Sequence, residues 1–207
     1  MSSDSARRPG FQAAALCLDY PDTTWQATVP LLTEAAGSLP SGAAHHLRRF
    51  LDWIDRTPAE QRTRHYVDTF DLRRRCCLYL TYYAFGDTRK RGMAILRFTH
   101  AYRSAGFEPI GEELPDHLAV ACEFAARDLP AGQRLLAEHR AGVELLRLAL
   151  DDAGSPYLSV VDLVRALLPE PAPHDLQRAL DLARSGPPAE EVGLEPFAPP
   201  ESIGARR

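Results

Sequence analysis

The 207-residue chain has no uncharged apolar run approaching 18 residues, so no membrane-spanning helix and no stable membrane insertion are expected. Its longest candidate, Cys76–Phe85, would rise only about 15 Å as a helix, half of a hydrocarbon core about 30 Å thick. No CxxC spacing occurs among Cys17, Cys76, Cys77 and Cys122, and their density is too low for a disulfide framework, which predicts reduced thiols in the cytoplasm. The vicinal pair Cys76–Cys77 could bridge only with strained geometry and reads as inert core thiols. The opening "MSSDSARRPG" lacks the charged, apolar and small-residue succession of a secretory leader. No GxGxxG, P-loop or GxSxG is present, and nothing else supports an enzyme. Lysine is nearly missing, with Lys90 alone beside 23 arginines, a bias of codons rather than of chemistry. A net charge of −4 and a pI near 6.0 argue against a dedicated nucleic-acid binder. Alternating strand patterns and Asn-Gly hairpin signals are absent too.

What is present is helical periodicity in a chain that is 45% hydrophobic, enough for a real core. Leu47, Phe50, Leu51 and Ile54 fall at i, i+3, i+4 and i+7 within Gly42–Arg56. "TPAE" then predicts a new helix, with Thr57 as N-cap, Pro58 in the first turn and Glu60 closing a capping box. That helix carries Tyr66, Val67 and Phe70 on one face. Asp87 is expected to cap a helix aligning Ile95, Phe98, Tyr102 and Ala105 up to Gly106, and Pro115 to open one aligning Leu118, Ala121, Cys122 and Ala125. Residues 131–153 read as one long helix ended by Gly154, and Tyr157–Leu168 as another. Phe11–Tyr20 and Thr24–Ala36 complete the set, the latter interrupted at Pro30.

The stretch "RRRCCLYLTYYAFGDTRKRG" at 73–92 is harder to read, because Tyr, Thr and Cys favour strands and no polar face marks a helical period. A lone strand would have no partner, so residues 74–85 are expected to form a helix buried on all sides at the centre of an all-α, single-domain bundle. The expected organisation is a flexible N-terminus over residues 1–10, the helical domain over 11–184 and a Pro-rich arm over 185–207. Around the central stretch, Arg73, Arg74, Arg75, Arg89, Lys90 and Arg91 form either two solvated helix ends or a partner-facing basic patch. His45 and His46 point to different helix faces, and His117 with Cys122 lacks further ligands, so no metal site is predicted.

"YVDTFDLRRRCCLYLTYYAFGDTRKRGMAILRF", followed by "GEELPDHL" and the late "VGLEPFAPP", resembles the NarJ-type nitrate reductase molybdenum cofactor assembly chaperones. These belong to the redox-enzyme maturation chaperones that also serve trimethylamine-oxide and dimethyl-sulfoxide reductases. The resemblance runs from about Phe11 to Pro200. It implies an all-helical, non-enzymatic, cytoplasmic chaperone that carries no cofactor of its own. Such a protein binds the N-terminal peptide of the nitrate reductase catalytic subunit, holds the apo-enzyme for insertion of molybdopterin guanine dinucleotide, and is not part of the mature complex. Carried over by position, it implies a peptide groove with Tyr66 and Phe70 on one wall and Pro115, Asp116 and His117 on the other. An amphipathic peptide helix needs an apolar trough, aromatic anchors and a few polar groups that fix its register. Asp116, placed near a positive helix start, could meet a cation of the peptide. The alternative within the sequence is that 115–117 merely start a helix and Tyr66 and Phe70 are core. A different class of function, a helical nucleic-acid-binding or regulatory module, would use the basic patch instead. The arm's Val192, Leu194 and Phe197 suggest docking on the chain's own apolar surface, with the peptide groove as one place for it.

Overall fold

A computed structural model describes residues 3–22, 24–111 and 113–171, together with 177, 180–182 and 184. The arm from 185 onward lies outside the described residues. Helices follow one another as α1 (Ser3–Leu18), a 3-10 turn (Trp25–Thr28), α2 (Val29–Ser38), α3 (Ser41–Arg56) and α4 (Ala59–Tyr66). A π-helical turn (Val67–Asp71) and a 3-10 turn (Arg74–Cys76) lead to the short α5 (Tyr82–Phe85) and the long α6 (Arg89–Ser104). Then come α7 (Leu118–Arg127), α8 (Leu129–Glu138), α9 (Arg140–Asp152) and α10 (Leu158–Leu167). Among the described residues there is no strand, only one isolated bridge between Tyr79 and His117. The all-α expectation holds.

α1 lies against α7 and α10, and α3 packs on α10 and α2, around one core that includes Phe11, Leu47, Phe50, Cys122, Leu146 and Val164. α7 and α8 meet almost backbone to backbone: a Cβ on Gly132 would stand 2.2 Å from the Ala125 Cα, so only glycine fits there.

Several boundaries differ from the sequence expectation. Residues 3–10, expected as a flexible N-terminus, belong to α1, which runs through Pro9. Pro30 does not interrupt a helix; it occupies the first turn of α2, where its missing N–H costs nothing. Thr57 terminates α3, and neither it nor Pro58 gives α4 a side-chain cap. Thr88, not Asp87, is the residue that precedes α6, and Asp87 instead pairs with Arg91 one turn on. Residues 131–153 are two helices that break at His139, because the apolar period continues across a turn that changes direction.

The largest difference is at the centre. Residues 74–85 are buried at Cys76, Leu78, Leu80, Thr81 and Tyr83, but they are not one helix. Leu80 N–H donates to the Asp116 carbonyl (3.0 Å) and Leu118 N–H to the Leu78 carbonyl (2.8 Å). The backbone at residues 77–79 is therefore extended before it turns at Leu80 and Thr81 into α5, and its partner is the chain just ahead of α7. The segment also wedges against α9: a Cβ on Gly142 would lie 2.9 Å from the Leu80 carbonyl oxygen.

His139, at the break between α8 and α9, packs its ring 4.5 Å from that of Phe98. Burial lowers its pKa from 6.5 to about 4. The unfolded chain therefore protonates His139 at a higher pH than the fold does. Its contribution to stability is complete above pH 6.5 and drains away as the pH falls toward 4. Thermal melts should show the midpoint falling across that window, and His139→Gln should fall less steeply. An equal slope in the variant would show that other groups govern the acid limb.

Candidate functional site

The trough begins where α1 ends. Leu16, Leu18 and Asp19 form one wall with Tyr20, and Ala119, Val120 and Glu123 of α7 form the other, under the loop from Phe107 to Gly111. Together they enclose a cavity of about 520 Å³. A second cavity of about 300 Å³ continues it toward Phe70, Cys77 and Tyr79. Tyr20, Tyr66, Glu113 and His117 line both, so the two form one trough.

Its aromatic wall is built by α4 and the π-helical turn. Tyr66 packs edge-on against Tyr20 (5.5 Å) and Phe70 (4.8 Å), and its hydroxyl donates to the Leu18 carbonyl at 3.1 Å. Burial raises the Tyr66 phenol pKa, so the group stays a neutral donor. Phe70 sits on the π-helical turn, wedged 4.8 Å from Tyr157. A π-helical turn carries one more residue than an α-turn and re-aims the side chains on it. Here it keeps Phe70 at the edge of the core and of the trough at once.

The opposite wall depends on "LPDH". His117 is the N-cap of α7: its Nδ1 accepts the Ala119 N–H at 3.3 Å. Nδ1 is therefore the unprotonated nitrogen and Nε2 carries the hydrogen. Burial lowers the His117 pKa, against the pull of Glu113, Asp116 and Asp19, so the ring is neutral near pH 7. Tyr79 packs edge-on to it at 5.2 Å and donates its hydroxyl to Glu113 Oε2 at 2.8 Å.

Tyr66, Phe70 and His117 thus come together in the trough, whereas Pro115 and Asp116 do not line it. Asp116 is wholly buried behind the wall. Its Oδ2 accepts the Thr81 hydroxyl at 2.6 Å and the Thr81 N–H at 3.2 Å, with Arg91 at 3.8 Å, and Oδ1 has no partner. The Pro115 carbonyl accepts the Tyr102 hydroxyl at 2.6 Å. Both residues form a latch that fixes the extended central segment to the start of α7. A carboxylate so placed cannot reach a cation in the trough, which corrects that expectation for Asp116.

The basic residues divide. Arg73, Arg74 and Arg75 are exposed, as are Arg89 and Lys90. Arg91 is turned inward, 17% exposed, under Asp87 and Asp116 and over the rings of Tyr79 and Tyr82. It is part of the latch and not of a partner-facing patch.

The sequence reading missed Tyr20, Tyr79, Asp19 and Glu113 as trough residues, because none repeats at a helical period. The acidic group is the chief electrostatic feature. Glu123 is bridged to Arg127 (2.7 Å) and Glu108 to Arg103 (3.1 Å), whereas Asp19 and Glu113 have no basic partner among the ion pairs of the described residues. The trough is therefore apolar with a local negative excess. Among the described residues no three His, Cys, Asp or Glu side chains are grouped to hold a metal ion, and no helix is long and apolar enough to cross a membrane.

Residues 36–161 match the family described as nitrate reductase delta subunit. The chain is 40% identical over 155 residues to the nitrate reductase-like protein NarX of Mycobacterium tuberculosis, covering 74% of this chain but only 23% of that protein. It is 30% identical over 166 residues to a Bacillus subtilis protein assigned as the nitrate reductase molybdenum cofactor assembly chaperone NarJ, covering 78% of this chain and 89% of that one. A crystal structure from Archaeoglobus fulgidus, of a protein assigned to redox enzyme maturation, superposes with a TM-score of 0.57 at 22% identity, over 77% of this chain and 90% of that one. That likeness concerns the fold.

Proposed function

Because this chain belongs to the nitrate reductase delta subunit family, we propose that it is a cytoplasmic assembly chaperone for respiratory nitrate reductase. It binds the N-terminal peptide of the catalytic subunit in the trough and holds the apo-enzyme while molybdopterin guanine dinucleotide enters. It then departs from the finished complex. It is an assembly factor and not a catalyst, in keeping with its relatives from Bacillus subtilis and Escherichia coli that are named assembly chaperones.

The observation that carries this reading is the continuity of the two cavities across Tyr20, Tyr66, Glu113 and His117. A peptide helix is about 10 Å across and lays an apolar face into such a groove through anchors one turn apart. Phe70, Tyr66 and Tyr20 provide the apolar surface. Glu113, held by Tyr79, and Asp19 provide the charge that sets register against a cation on the peptide.

Isothermal calorimetry against a synthetic peptide from the N-terminus of the cognate catalytic subunit tests it. Binding is expected, and Phe70→Ala and Glu113→Gln should each weaken it by about tenfold, about 1.4 kcal/mol, with little change in melting temperature for the exposed Glu113. A peptide that binds both variants as tightly as the parent lies elsewhere on the molecule, and no binding at all removes the reading.

A further inference from the structure

The outer face of α6 carries a pattern that the trough does not use. Its 16 residues hold no Asp or Glu and carry the exposed cations Arg89, Lys90 and Arg97, with Arg91 turned inward and Arg103 bridged to Glu108, in a chain of net charge −4. Met93 and Leu96 stand on that face 67% and 57% exposed, one turn from each other. Lys90 and Arg97 lie one turn to either side of Met93. Residues 185–201 have the complementary character. They hold Glu190, Glu191, Glu195 and Glu201, no Arg or Lys, and the apolar Val192, Leu194 and Phe197 in between.

We propose that the segment around residues 190–197 docks in cis on the outer face of α6. Val192, Leu194 and Phe197 cover Met93 and Leu96, and the glutamates face Lys90 and Arg97. Three observations select this site. The trough has a negative excess at Asp19 and Glu113 and repels an acidic segment, so a lid over the trough is the weaker arrangement. The chain just after α10 also runs near α6. The Arg140 guanidinium donates to the Pro169 carbonyl, and the neighbouring His139 packs on Phe98 of α6 at 4.5 Å. Even with the helical residues at 177, 180–182 and 184, the chain from Pro171 to Glu190 can span a few tens of ångströms, ample to round a helix about 10 Å across.

The competing basic and apolar surface, Leu72 (71% exposed) with Arg73–Arg75, lies at the other end of α9. The Cys76 thiol there feels the charge of Asp152, at the C-terminal end of α9, whereas Pro169 meets its N-terminal residue, Arg140. The two ends are about 18 Å apart at 1.5 Å per residue, a distance that the chain can cover, so the experiment below separates the two surfaces. Finally, α6 begins with the exposed Arg89 and Lys90 at its positive end, has no acid in its first turn and gains no side-chain cap from Thr88. Glutamates arriving there complement both the side chains and the helix dipole.

The test uses the full chain with Cys77→Ser and Gly193→Cys, spin-labelled at position 193, and reads relaxation of backbone amide signals. Enhanced relaxation is expected at Met93, Leu96 and Arg97, with loss of that enhancement in Lys90→Glu/Arg97→Glu and in high salt. Cys77→Ser exchanges one atom at a half-buried position, so the fold is retained. Enhancement confined to Tyr20 and Val120, enhancement at Leu72–Arg75, or none anywhere overturns the proposal. So does enhancement that appears between a labelled and an unlabelled copy, which would make the contact intermolecular.

Discussion

Asp116→Ala should lower unfolding stability by about 3–5 kcal/mol, the range for removing one partner of a buried charged group. The substitution leaves the Thr81 hydroxyl and N–H without their acceptor and leaves the inward Arg91 without its buried counter-charge. Asp116→Asn keeps an acceptor for Thr81 and loses only the charge, so its cost should be clearly smaller. Denaturant titration of both variants decides the matter. If Asp116→Ala unfolds at the parent's midpoint yet loses the peptide, Asp116 acts in recognition and the latch assignment is wrong.

Leu80→Asp should be at least as damaging, costing several kcal/mol. Leu80 is buried, its N–H bonded to the Asp116 carbonyl and its own carbonyl close against Gly142 of α9. A new carboxylate there would be taken out of water inside the core. Leu80→Met, similar in volume, should cost less than about 1.5 kcal/mol. A soluble Leu80→Asp protein with the parent's melting temperature would remove the central segment from the core.

The regular helices were legible because their apolar residues repeat at the period of a helix: α3 and α10 lie where Leu47, Phe50, Ile54 and Val160, Val164, Leu167 place them. The central segment was misread for a physical reason. A run apolar on every side carries no period, and the preference of Cys, Tyr and Thr for extended backbone was the only signal against a helix. Its partner is a single turn of chain rather than a second strand, which no periodicity announces. Of the residues that the family resemblance carried over by position, Tyr66, Phe70 and His117 line the trough. Asp116 was given to the trough because its true partner, Thr81, is 35 residues away in sequence. Tyr20 and Tyr79, outside the regular helices, had no pattern at all.

The latch between Thr81 and Asp116 has a consequence for the order of folding. Closing a loop of 35 residues costs about 3 kcal/mol in chain entropy by (3/2)RT ln n, while the local helices on either side form without that cost. In kinetic terms the latch is a late contact of high sequence separation, and mutations in it should slow the folding limb only weakly and speed unfolding instead. Since His117 and Tyr79 are set against each other by the same contact, the trough exists only after this step. A chain emerging from synthesis should therefore complete the trough last of all.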